Sequence, residues 1–184
     1  MKENDCMDEK GKKIMDVLKY IQQFFSEIAQ VIIKIDDSME KSGWKPEYGT
    51  TVTRDCSHSL DNPEQWLPYW NYRVYLKEKN SNLRKIVSFC YDSEHVDQPI
   101  IIAGLVEVKN KEFFREWKDY WSLWHLWIED KNKSKKYDGT IYSRFDSDYM
   151  NHVKKARLFA YNLIDIKNEN DIKNKISDKL IELT

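Results

Sequence analysis

The stretch Pro99-Ile100-Ile101-Ile102-Ala103-Gly104-Leu105-Val106-Glu107-Val108-Lys109 decides the fold. Its run from Ile100 to Val106 is apolar on both faces of an extended chain, the mark of a central strand covered on both sides. Two runs upstream alternate as its neighbours should. In Leu83 to Tyr91, Ile86, Ser88 and Cys90 share one face and Val87, Phe89 and Tyr91 the other. In Trp70 to Lys77, the residues Trp70, Tyr72, Val74 and Leu76 alternate with Asn71, Arg73, Tyr75 and Lys77. Asn80-Ser81-Asn82 and the polar segment 92–98 join these runs, and connections this short imply an antiparallel meander. A hairpin that sets Asp92 opposite Pro99 also sets Glu107 opposite Arg84. It groups the small side chains Ser88, Cys90 and Ala103 on one face.

Outward from this centre, residues from about Asp8 to Lys41 read as one long amphipathic helix. Ile14, Val17, Leu18, Ile21, Phe25, Ile28, Ile32, Ile35 and Met39 recur at three- and four-residue steps, with Lys12, Asp16, Lys19, Gln23, Gln30 and Lys34 opposite. Gly43 is a natural C-cap and Pro46 prevents continuation. Thr50 to Thr53 reads as a short strand. Downstream, Lys111 to Glu129 is a second helix. Its Phe113, Phe114, Trp117, Tyr120, Trp121, Trp124, Trp127 and Ile128 fall within an arc of roughly 140°. Gly139 to Phe145 is a further strand. Asp146-Ser147 reads as the cap of a helix reaching Leu163, with Met150, Val153, Ala160 and Leu163 inward. A last helix after Asn168 carries Ile172, Ile176, Leu180 and Leu183. The fold class is α+β: an antiparallel β-meander of four to five strands packed with a long N-terminal helix, a Trp-rich central helix and C-terminal helices. The expectation is one domain over 1–184, with 1–8 and 130–138 flexible.

Composition narrows the function classes. A chain of 184 residues suffices for one domain that buries roughly 70% of its unfolded surface. Its 30 basic and 31 acidic side chains nearly cancel, so no global field recruits nucleic acid or an anionic membrane. No apolar run approaches the ~20 residues of a membrane span. Met1 to Lys13 holds no apolar signal core, and Cys6, Cys56 and Cys90 lack paired spacing, so free thiols in a cytoplasmic location are expected.

Glu107-Val108-Lys109 is the strongest chemical motif. With the order helix, three strands, helix, strand, helix, it resembles the restriction-endonuclease-like family. The resemblance implies a metal-dependent nuclease in which Glu107 and an acid on the preceding strand, Asp92 or Asp97, bind a divalent metal, while Lys109 positions the attacking water. Strand geometry argues against it. Glu107 lies eight residues beyond the level of Asp92, some ~26 Å at ~3.3 Å per residue. Carboxylates sharing a metal must lie within several Å of each other. An ion pair between Glu107 and Arg84 explains the residue more simply.

Other signals are weaker. Asp146-Ser147-Asp148 fits helix capping better than a metal–nucleotide site. The segment Gly43 to Thr51 lacks the spacing of a phosphate loop. His58, His95, His125 and His152 share no helical face, and Cys56 with His58 lacks an identifiable orienting group. Lys131, Lys133, Lys135 and Lys136 form one basic run, read as a solvated loop. The aromatic content, 14% with seven Trp, is the most informative feature. The Trp stripe either packs on the sheet or stays open as a groove with Trp66, Tyr69 and Trp70 on its rim. The resulting expectation is a soluble binding or interaction module that uses Trp66, Trp70, Trp117, Trp121 and Trp124. Its partner is a protein, a second copy or a planar ligand; nucleic acid is not favoured, and no membrane is expected. No motif names a cofactor or metal.

Overall fold

The computed structural model describes residues 2–56, 59–61, 63–78, 81–91, 96–109, 127, 136–145 and 153–184. Helix α1 (Lys2–Lys41) leads into a seven-stranded, wholly antiparallel sheet. The strands are β1 (Lys45–Pro46), β2 (Thr53–Asp55), β3 (Trp70–Leu76), β4 (Leu83–Cys90), β5 (Ile100–Val108), β6 (Tyr142–Phe145) and β7 (Val153–Asn162). A C-terminal helix, α2, covers 169–182, with a π segment at Ile172–Ser177 between α-helical ends. The spatial order is β1-β3-β4-β5-β7-β6, and β2 shares the outer edge of β3 with β1. The α+β class stands: an antiparallel sheet between a long N-terminal helix and a C-terminal helix. The meander holds for β3, β4 and β5. Then β7 returns to pair with β5, and β6 lies outside it.

β5 is central and buried on both faces, as its apolarity requires. On one face Ile101, Ala103 and Leu105 join Tyr75, Val87, Phe89 and Phe159 beneath Ile28, Ile32, Ile35 and Met39 of α1 and Ile172, Ile176 and Leu180 of α2. On the other, Ile100, Ile102 and Val106 join Trp70, Tyr72, Val74, Ile86, Cys90, Ala156, Leu158 and Trp127. Trp127 is fully buried there, edge-on to Tyr142 at 5.3 Å. The remainder of the Trp-rich segment 111–129 lies outside the described residues.

Two expectations are corrected. The segment from Val153 is not a helix but β7, the partner of β5 along its whole length. Ala156, Leu158 and Ala160 face one core while Phe159 faces the other, a period of two that the helix-forming Ala, Lys and Arg residues conceal. Second, the β4–β5 register is shifted by one residue: Glu107 lies opposite Leu83, and Arg84 opposite Val106. One step exchanges faces, so Ala103 faces α1 with Val87 while Ser88 and Cys90 face away. Along α1, only the C-terminal half of the apolar stripe is buried. Ile14, Val17 and Leu18 are exposed.

Local chemistry fixes α1 on the sheet. Arg73, on the α1 face of β3, donates to both carboxylate oxygens of Asp36, at 2.6 and 3.0 Å, and to the Thr51 carbonyl at 2.7 Å. The Tyr75 hydroxyl donates to the same carboxylate at 2.8 Å. At the end of α1 the Trp44 and Gly43 amides donate to the Met39 and Glu40 carbonyls, and Gly43 sits at φ +84°. This six-to-one and five-to-two pairing is a Schellman cap, whose left-handed residue is best supplied by glycine. Lys85, also buried, donates to the Ile181 carbonyl at 2.7 Å and holds the C-terminal end of α2.

Candidate docking surface

The length of α1 creates the surface. Forty residues make a helix of ~60 Å, whereas β5 and β7, of nine and ten residues, extend only ~30 Å. Half the helix must therefore leave the sheet. The departure point is a cluster of rings at the end of β4: Phe24 and Phe25 both meet Tyr91 edge-on, at 5.3 and 5.8 Å. Burial pushes the Tyr91 hydroxyl up from its ordinary pKa, with a lesser contribution from Cys90.

Apolar grooves flank the departing helix. One, of about 400 Å³, lies between Phe24, Ile28 and Val31 of α1 and Pro99, Leu163 and Ile164 at the ends of β5 and β7. Another, of about 330 Å³, runs on the other flank between Ile21, Phe24 and Phe25 and the rim of Leu67, Pro68, Tyr69 and Tyr91. It adjoins a shallower depression reaching Trp66 and Val52. Beyond them Ile14 is 62% exposed, Val17 58% and Leu18 47%. These residues continue the same helical stripe that Ile28, Ile32, Ile35 and Met39 bury against the sheet.

The sequence candidates are distributed as follows. Trp66, the last residue of a 3₁₀ turn at Pro63–Trp66, is exposed, lines the depression and donates from Nε1 to the Ser59 carbonyl at 2.9 Å. Trp70 is buried in the core face opposite α1. Trp117, Trp121 and Trp124 lie outside the described residues, as do Asp92, the four histidines and the Asp146-Ser147-Asp148 motif. Glu107 accepts from Lys154 Nζ at 2.6 Å. Lys154 is the extra residue of a bulge, where the β5–β7 register shifts between Glu107 and Val108. Arg84 pairs instead with Glu47, through Nε at 3.0 Å and an Nη at 3.2 Å. Asp97 precedes β5 and Glu107 nearly ends it, so ~23 Å of strand alone separates Ile100 from Glu107. Lys109 is exposed just beyond β5. Among the described residues no three His, Cys, Asp or Glu side chains group to hold a metal ion. Cys90 is a core residue and Cys56 is half-buried. No helix of the described residues is long and apolar enough to cross a membrane.

The sequence assigns Ile14, Val17 and Leu18 to the apolar stripe of α1 without saying what covers them. The signal that they stay open is the helix length, which exceeds that of the strands beneath it. Comparison of the chain with protein-family models, curated proteins and solved structures returned no match.

Proposed function

We propose that this protein is an interaction module whose docking surface is the departing half of α1, residues 14–25, with the apolar rim beside it. The observation that carries the reading is the contrast within a single stripe. Its C-terminal half is buried to a few per cent exposure, while its N-terminal half is open. Exposed contiguous apolar patches on this scale mark interaction sites, whereas scattered apolar residues would not. An amphipathic helix offering anchors at three- and four-residue steps is a recurrent recognition element. The aromatic component of the reading is retained in altered form: Phe24, Phe25, Tyr91 and Trp66 supply the rings at this surface.

A hydrophobic fluorescent dye, anilinonaphthalene sulfonate, tests this in dilute protein. The wild-type chain should enhance its fluorescence, and the doubly charged variant Ile14→Asp/Leu18→Asp should lose most of that enhancement while keeping its far-ultraviolet circular dichroism. Equal enhancement in both proteins would place the accessible apolar surface elsewhere and defeat the reading.

A further inference from the structure

Resting on that reading, we infer that the occupant of the exposed α1 face is a second copy of this chain, with the two helices antiparallel. Ile14, Leu18, Ile21 and Phe25 are spaced by steps of four, three and four residues, continued by Ile28, Ile32, Ile35 and Met39 in the same heptad. A four-three-four spacing reads the same in both directions, so two such segments match when laid antiparallel about a two-fold axis. Antiparallel pairing sets Ile14 against Phe25 of the second copy and Leu18 against its Ile21, and the two-fold generates the same layers again. Val17 and Phe24 then flank the seam on one side, and Met15 and Gln22 on the other.

Charge and area agree with this occupant. Asp16 and Lys19 are the only charged residues from Ile14 to Phe25, and both take the outward side of the helix. The seam therefore carries no charge that a second copy would have to bury. The exposed apolar area along it is on the order of 500 Å² per copy, or ~1,000 Å² for a pair, about where specific interfaces begin. A reversible dimer follows. The pairing also has a natural limit. The next seam position is Gly11, which has no side chain to set against Ile28, and Ile28 is already covered by its own sheet.

Sedimentation equilibrium over a range of concentrations is the first test. A concentration-dependent dimer is expected, reduced to monomer by Leu18→Asp. Val17→Asp serves as the second variant should the first unfold. Nitroxide labels then read the orientation in a chain with Cys6 and Cys56 replaced by Ser. Labels at Lys19→Cys should be separated only by the width of the helix pair, whereas those at Lys12→Cys should stand a further ~22 Å apart along the axis. A monomer at every concentration overturns the second copy as occupant, as does a dimer indifferent to both charged variants. Equal distances at the two label positions overturn the antiparallel seam. A monomer that still binds the dye would leave the docking reading intact and remove only this occupant.

Discussion

At the scale of single residues, the buried charges join the layers. Arg73 is 5% exposed, and its charge is tolerable there because Asp36 meets it bidentately and Tyr75 completes the carboxylate's shell. Removing one member of such a pair leaves the other charge buried, a loss of about 3–5 kcal/mol. Asp36→Ala should therefore lower the unfolding free energy in urea by that order, and adding Arg73→Met should recover much of it. Lys85 carries a second buried charge. Burial, with help from Lys77, lowers its pKa from 10.5 to about 8. Between those values the unfolded chain binds the proton more strongly than the folded one, so stability rises with pH across that window. The rise should be on the order of 2 kcal/mol by pH 10. From about pH 9 upward, Tyr75, Tyr91, Tyr137 and Tyr161, whose pKa values burial raises, offset part of this rise as the unfolded chain loses their protons. Denaturation of Lys85→Met at pH 8 and pH 10 should show no such rise.

At the scale of elements, one substitution distinguishes two kinds of glycine. Gly43→Ala meets only Lys77 Cε, at 3.8 Å, but at φ +84° it must hold a left-handed conformation, which costs ~1–2 kcal/mol. A Cβ on Gly104 would lie 2.4 Å from the Arg157 carbonyl oxygen and 2.5 Å from Leu158 Cδ2, so Gly104→Ala must part β5 from β7. Chemical denaturation should find the first variant folded with slightly reduced stability and the second severely destabilised or unfolded. The contrast also explains what the sequence could convey. β3, β4 and β5 were legible because each alternates or saturates with β-branched and aromatic residues over a strand's length. Gly43 was legible as a cap. β7 was not, because Val-Lys-Lys-Ala-Arg-Leu-Phe-Ala favours a helix locally and becomes a strand only by pairing with β5. The register erred by one because loop 92–98 does not specify where pairing begins, and that single step moved Ala103 to the other face. The stripe on α1 was legible, but not what surrounds it. Periodicity identifies the apolar side of a helix without saying what covers it.

At the scale of the whole molecule, the first helix is longer than the strands of the sheet it packs on. The sheet buries Ile28 through Met39 with the help of α2, and Phe24, Phe25 and Tyr91 close that core at its end. The segment from Ile14 to Phe25 then repeats the same apolar logic with nothing from the described chain against most of it. A second copy supplies the missing cover by presenting that segment in reverse. Hydrogen–deuterium exchange along α1, recorded at low and at high protein concentration, tests this most directly. Amides of residues 28–39 should be protected at both concentrations, while those of 14–25 should exchange rapidly when dilute and become protected when concentrated. Exchange in 14–25 that is the same at both concentrations would contradict the account.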